Sequence, residues 1–338
     1  MNIYGKYFFK LFIRSSILLV VIALPFPSFA LNINQLIFSD IKNGGTYLDM
    51  GRSGMLRDAG IKALAESPMV FDVETLGLKV HDITDEGMIA LANSKYLKKV
   101  KVLDLFQNDI GSKGARALAQ SENFKNLTHL NLWQNKIEAE GARSLAESGT
   151  ITHLIELDLT KNNIGAEGAI AIAQSSSLKN LEVLKIGGNN IGDQGFTALS
   201  QSPYLKNLRV LDVSENEITS KGIAFLNNSL ITKLEELNLR KNLLNNEGVA
   251  ILSNLDELKN LKKLDLQWNE ITADGAIALG SSKNLIKIKE LQLWGNNIGD
   301  DGVRSILESE TLKNVTNTIY PYENMKEFFP STGGKEDY

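Results

Sequence analysis

Leu154 to Gln174 reads LIELDLTKNNIGAEGAIAIAQ, and near-copies of this stretch recur through most of the chain. Asparagines keep one phase at Asn108, Asn135, Asn162, Asn189, Asn216, Asn242, Asn269 and Asn296, in steps of 27 residues with a single step of 26 between Asn216 and Asn242. Glycines keep the same time at Gly87, Gly114, Gly141, Gly168, Gly195, Gly222, Gly248, Gly275 and Gly302. A fixed period of this length predicts a solenoid, in which each unit packs chiefly on its two neighbours.

Within one unit, Leu157 and Leu159 fall on one side of a short strand and Asp158 and Thr160 on the other. Past Asn162, Gly165 and its equivalents Thr84, Thr219, Asn245, Thr272 and Gly299 are residue types suited to a helix N-cap. A helix from Ala166 to about Ala173 follows, with Ala171 and Ile172 as its expected inward stripe. About five or six buried aliphatic side chains, at roughly 1.5–3 kcal/mol each, do not offset roughly 1–2 kcal/mol for ordering each backbone residue. A single unit therefore cannot fold alone. Stacking joins the strands into one parallel sheet and the helices into a second layer around a continuous core. The asparagine carries donor and acceptor on one amide and is expected to satisfy the backbone of adjacent turns.

The pattern L-x-x-L-x-L-x-x-N-x-I with a later G-x-x-A-L resembles the leucine-rich repeat, and more narrowly its ribonuclease-inhibitor-like subtype, over nine units from about Val73 to Leu307. The resemblance implies an α/β horseshoe with a parallel sheet on the concave face and helices on the convex face. The first unit departs from the pattern by placing His81 where the others place asparagine, so the ladder is expected to begin irregularly there.

Residues 1–30 carry Lys6, Lys10 and Arg14 without an acid, then the apolar run Ile17 to Phe26, then Ser28 and Ala30. This is the order of a signal peptide, with cleavage expected after Ala30. The apolar run is too short for the roughly 20 residues of a membrane span, so no stable span is expected after cleavage. Cleavage would also change the net charge from −4 to −7. A mildly acidic chain disfavours nucleic acid as a partner. The chain has no cysteine, which fits export from a bacterium better than the disulfide-stapled secreted proteins of animals or plants. Residues 31–72 are expected to form an N-terminal cap, 73–314 the nine repeats, 315–329 a C-terminal cap rich in Tyr320, Tyr322, Phe328 and Phe329, and 330–338 a disordered tail.

Catalytic chemistry is not visible. His81, His129 and His153 lack metal-ligand spacing, and no nucleophile elbow, phosphate loop or H-E-x-x-H motif occurs. No enzyme activity, metal or cofactor is expected. What remains is the strand face away from the helices. The residues between the two strand leucines are Gly77, Asp104, Asn131, Asp158, Lys185, Asp212, Asn238, Asp265 and Gln292. The next outward row is Lys79, Phe106, Trp133, Thr160, Gly187, Ser214, Arg240, Gln267 and Trp294, with Trp268 one step beyond. All three tryptophans of the chain thus fall on the exposed side, where large aromatics concentrate binding energy.

These positions define the expected binding surface: Phe106 with Trp133, Trp268 with Trp294, the aspartates Asp104, Asp158 and Asp212, and Arg240. The expected partner is another protein, reached after export to a periplasm, a cell surface or the medium. The resemblance to bacterial leucine-rich repeat proteins implies a host-interaction role. Two alternatives stand beside this reading. Tryptophans flanked by Asp and Asn also suit glycan of a cell wall, and the repeat subtype resembles the activating protein of the Ran GTPase, for which Arg240 is the residue to test.

Overall fold

The computed structural model describes residues 32–51, 53–315 and 317–319. The expected signal segment, the tail and most of the expected C-terminal cap lie outside these residues. From Ile33 onward the chain is one unit. Helix α1 (Ile33–Asp40) leads into a hairpin of β1 (Ile41–Lys42) and β2 (Tyr47–Asp49), which pair antiparallel. The four-residue loop 43–46 joins them, with Asn43, Gly44 and Gly45 all at positive φ. From β2 the strands run parallel and in sequence order. They are β3 (Thr75–Gly77), β4 (Val102–Asp104), β5 (His129–Asn131), β6 (Glu156–Asp158), β7 (Val183–Lys185), β8 (Val210–Asp212), β9 (Glu236–Asn238), β10 (Lys263–Asp265), β11 (Glu290–Gln292) and β12 (Asn317–Ile319). The sheet is open, and β12 extends it by one strand beyond the last expected repeat.

Each strand from β2 to β11 is followed by a helix on the same side of the sheet. These are α2 (Arg57–Ala65), α3 (Asp85–Ala92), α4 (Ser112–Gln120), α5 (Glu138–Ala146), α6 (Gly165–Ala173), α7 (Gly192–Ser200), α8 (Ser220–Ala224), α9 (Asn245–Leu252), α10 (Ala273–Gly280) and α11 (Gly299–Leu307). The short helix α8 falls in the repeat with the 26-residue step. Strands repeat at about 4.8 Å but packed helices need about 8–10 Å. The array therefore has to bend with its sheet on the inside.

Register places Leu76, Leu103, Leu130, Leu157, Leu184, Leu211, Leu237, Leu264 and Leu291 in one row, each at most 1% exposed. The inward stripe of α6 is Gly168, Ala169, Ile172 and Ala173 rather than Ala171 and Ile172. The glycine three residues into the helix sets the phase, because it lets α5 come close. A Cβ at Gly168 would lie 3.1 Å from that of Ala142. Residues i, i+1, i+4 and i+5 from that contact then face the core, and Ala171 is only half-buried.

Three hydrogen-bonded ladders hold the turns in register. Asn162 donates Nδ2 to the carbonyls of Leu132 at 2.8 Å and Leu159 at 3.0 Å, and its Oδ1 accepts the amide of Ile137 at 3.2 Å. Asn189 repeats this on the next turn, bonding Leu159, Ile186, Asn162 and Ile164. At the head of the ladder His81 accepts the Leu56 amide through Nδ1 at 3.4 Å, while its buried Nε2 has no partner. This is the irregular start expected of it, and burial holds its pKa below the ordinary histidine range.

The second ladder is of serines. Ser94, Ser121, Ser148, Ser175, Ser202, Ser229 and Ser282 each donate to a helix-end carbonyl 29 residues earlier at 2.5–2.7 Å. The third ladder explains how each helix begins. Where the preceding helix carries Asp58, Asp85, Asp193 or Asn246, that side chain accepts the amide of Thr84, Gly111, Thr219 or Thr272 at 2.7–2.9 Å. The helix then starts from an extended cap residue. Where the same place holds Ser112, Ala139, Ala166 or Ser220, no such acceptor reaches across. The chain enters instead through Glu138, Gly165, Gly192 or Asn245 at φ +53 to +61°, and that amide goes to the carbonyl of the next ladder asparagine. The N-caps expected at Gly165, Asn245 and Gly299 are thus left-handed entry residues, and glycine meets that need without strain.

Asn189→Ala leaves two amides and up to three carbonyls without partners, at about 1–3 kcal/mol each. It should cost about 3 kcal/mol or more in urea denaturation, against about 1–2 kcal/mol for loss of the Asp193 cap. A smaller loss for Asn189→Ala than for Asp193→Ala would contradict the order of importance of the ladders.

Candidate functional site

The strand face opposite the helices presents two rows of side chains. In the inner row, Asp104, Asn131, Asp158, Asp212, Asn238 and Asp265 share one local arrangement. Each Oδ1 accepts the amide two residues on, at Phe106, Trp133, Thr160, Ser214, Arg240 and Gln267, over 2.9–3.1 Å. The inner row therefore fixes the backbone from which the outer row projects.

The remaining oxygens of the three expected aspartates are also engaged. Asp104 faces the Lys79 ammonium at 3.1 Å and also accepts from Asn131 Nδ2. Asp212 accepts from Asn238 Nδ2 at 2.8 Å, and Asp158, only 7% exposed, has Lys185 Nζ at 3.9 Å. Aspartate and asparagine are interchangeable at six places in this row, with an aspartate in every second repeat from Asp104 to Asp265, because the oxygen of either can receive the amide. The sequence shows the alternation; the job it does is set by a two-residue backbone geometry that spacing alone does not display.

The outer row holds the aromatics. Phe106 and Trp133 pack with ring centroids 4.9 Å apart and planes tilted by 57°. Trp268 and Trp294 meet edge to face at 4.7 Å and 89°, an arrangement their quadrupoles favour. Trp133, Trp268 and Trp294 stay 38%, 42% and 42% exposed, so each pair keeps much of its surface in water. Trp268 stands at φ +55° and gives its amide to the Trp294 carbonyl. Its indole lies over Gly295, where a Cβ would come within 2.4 Å of the ring. Glycine at 295 is thus what lets that ring lie flat across the next turn.

Between the two pairs the row drops to Thr160, Gly187 and Ser214, and a Cβ at Gly187 would meet Ser214 Oγ at 2.6 Å. The floor is shallow there. A depression of about 210 Å³ opens over β7 to β11, lined by Lys185, Asp212, Glu236, Asn238, Lys263 and Asp265 among others. Arg240 sits in the outer row beside it, half-exposed, with Nε buried and unpartnered. A larger cleft of about 830 Å³ lies along α4 and α5, but its walls are exposed charges such as the Arg116–Glu140 and Arg143–Glu167 pairs. It offers no aromatic anchor.

The histidines are dispersed: His129 Nδ1 contacts Thr128 Oγ1 and His153 Nδ1 the Lys125 carbonyl. Among the described residues no group of three or more His, Cys, Asp or Glu could hold a metal, and no helix is long and apolar enough to cross a membrane.

Burial lifts the carboxyl of Asp158 above its ordinary 3.8, against the pull of the Thr160 hydrogen bonds and Lys185. The folded state then binds this proton more tightly than the unfolded chain. Stability from this group is present at low pH and is lost as pH rises through the folded pKa. Asp158→Asn keeps the acceptor for the Thr160 amide, as Asn131 does for Trp133, and removes the buried charge. It should melt above the parent at pH 7, with the gap closing below pH 3.8; thermal melts that place it below the parent at pH 7 would contradict this.

A family model described as Leucine Rich repeat matches residues 73–92, 96–119, 125–146, 150–173, 177–200, 204–226, 257–280 and 284–307, more than half of the chain. The unmatched stretch 227–256 contains β9, within the 26-residue step, and α9, just after it. No curated protein matches by sequence. Among solved structures, a leucine-rich repeat protein of Leptospira interrogans is 22% identical with a TM-score of 0.47, over 75% of this chain and 56% of its own. The chain thus spans little more than half the length of that protein. An internalin from Listeria monocytogenes is 19% identical with a TM-score of 0.46, over 86% of this chain and 89% of its own.

Proposed function

Because this chain belongs to the leucine-rich repeat family, whose members characteristically bind other proteins, we propose that it is an exported, non-enzymatic binding protein that holds a protein partner on its strand face. The observation that carries the choice of face is the pair of half-exposed aromatic clusters, Phe106–Trp133 and Trp268–Trp294, on a sheet surface over which no other layer lies among the described residues. Large aromatics left in water at the two ends of a rigid floor are what an interface hot spot requires. Five strand steps of about 4.8 Å separate Trp133 from Trp268, roughly 24 Å. The polar inner row keeps that floor soluble between the anchors.

Export is supported by the charged, then apolar, then small-residue order of residues 1–30, and a bacterial source by the absence of cysteine. The periplasm, the cell surface and the medium are all consistent with such a leader, and a host-interaction role goes with the last two. Helices of eight or nine residues behind most strands support the ribonuclease-inhibitor-like subtype. Glycan is the second reading, favoured by the exposed indoles. Each pair already spends one ring surface on its neighbour, so a sugar would find fewer free faces than a row of separate tryptophans offers.

The test is a crosslinking capture from envelope and host-cell extracts, comparing residues 31–338 with the Trp133/Trp268/Trp294→Ala variant after both are shown to be folded. A protein captured only by the parent is the expected result. Equal capture by both, or binding of the parent to purified cell wall that the variant loses, would remove the protein-partner reading.

A further inference from the structure

The strand face carries four cations, Lys185 in the inner row, Lys79 and Arg240 in the outer row and Lys263 at the first position of β10, and three of them sit in ion pairs. Lys79 pairs with Asp104 at 3.1 Å, Lys185 with Glu156 at 2.8 Å and Lys263 with Glu290 at 3.5 Å. Arg240 forms no ion pair at bonding distance among the described residues, though its charge acts on Asp265, and its Nε is both buried and without a hydrogen-bond partner. A covered polar nitrogen with no acceptor is costly, and in native structures it calls for an explanation.

The acids nearest in register do not supply the acceptor. Asp212 spends its oxygens on the Ser214 amide and Asn238 Nδ2. Asp265 gives Oδ1 to the Gln267 amide and feels the Arg240 charge without hydrogen-bonding its Nε. The Arg240 backbone is itself fixed, its amide donated to Asn238 Oδ1 at 3.0 Å.

We propose that Arg240, together with the Trp268–Trp294 pair, forms the anchoring subsite of the strand face and receives an Asp or Glu side chain of the partner protein beside an apolar residue that packs on the indoles. This rests on the protein-binding reading above and names the chemistry of its partner. Along the sheet, Arg240 is one strand from Gln267 and Trp268 and two from Trp294, about 5 and 10 Å. A carboxylate and a neighbouring apolar side chain on one partner segment span that distance. On the other side the outer row holds only Ser214, Gly187 and Thr160, so the floor is low there.

A guanidinium offers a planar fork that a carboxylate meets with two parallel hydrogen bonds. Its Nε is already out of water, so part of the desolvation has been met before the partner arrives. The surrounding Asp158, Asp212, Glu236 and Asp265 repel further negative charge. That favours a single carboxylate over a phosphate dianion and asks for a partner segment otherwise neutral or basic. In such a floor, one acid-accepting point fixes the register of the partner more than it raises affinity.

The experiment is a selection from random peptides displayed on phage, run in two formats, with the peptide embedded between fixed flanks or ending in a free C-terminus. The baits are the full chain as processed by an export-competent host, Arg240→Gln, Arg240→Glu and the Trp268/Trp294→Ala variant, each shown to melt cooperatively. Embedded peptides enriched on the parent should carry Asp or Glu at constant spacing from an apolar residue. They should bind Arg240→Gln at least tenfold more weakly, and Arg240→Glu should select Lys or Arg at that place instead.

Indifference of the enriched sequences to Arg240, with loss on the double tryptophan variant, overturns the subsite and leaves the protein-binding reading standing. Acid dependence seen only with free C-termini also overturns it, by making the ligand a terminal carboxylate. Enrichment that survives the tryptophan change overturns the subsite as well, whereas no enrichment on the parent in either format removes both readings.

Discussion

The constraint on which the whole molecule depends is the single buried amide that each turn inserts between itself and its neighbour. Asn162, Asn189, Asn216 and Asn269 are at most 1% exposed, yet each spans two turns, giving protons to carbonyls and taking one or more amides. The turn it occupies is irregular backbone enclosed by leucine and isoleucine, where every unsatisfied N–H or C=O is expensive. Only a side chain with both polarities can close that gap repeatedly. Once it does, the spacing of the strands is fixed, and with it the row of core leucines.

Everything on the outward face follows from that fixed spacing. The inner-row acids and amides tie down the amides of Phe106, Trp133 and Arg240, so the outer side chains start from a rigid frame. Pre-organisation of this kind lowers the ordering cost of binding. The same frame explains why two aromatic pairs persist in water. Neighbouring positions of adjacent turns stand close enough for rings to touch: Phe106 meets Trp133 in register, and Trp268, one residue past the register partner of Trp294, reaches it across Gly295. Ion pairs such as Glu182–Arg209–Glu235–Lys262 run along the sheet margin in the same way, with Glu235 held down at a pKa of about 2 by its Lys262 and Arg209 partners. Those are exposed and add little to stability.

Period, strand face, core leucines and the role of the asparagine were legible because each depends on residue type at a fixed spacing. The serine ladder has the same regularity but is easy to pass over, since serine between elements also suits an ordinary loop. The switch between two helix entries was harder. It is decided by Asp or Asn at 58, 85, 193 and 246 in the preceding turn, so the cap residue itself does not reveal it. The misplaced stripe at Ala171 came from reading helix period without the close approach that Gly168 permits. At the site, exposure of the tryptophans was readable from strand alternation. The unpartnered Nε of Arg240 was not, because it depends on side-chain positions that strand alternation does not display.

The central claim is that the strand face, and not the helix face, meets the partner. It is tested most directly by placing a photo-crosslinking amino acid at Thr160 or Ser214 on the floor, and at Lys113 or Glu167 on the helix side, in the source organism. Both helix-side positions are exposed and both floor positions half-exposed. The account predicts that irradiation yields a discrete protein adduct from the floor positions and none from the helix positions. Adducts confined to the helix positions, or absent from the floor, would contradict it.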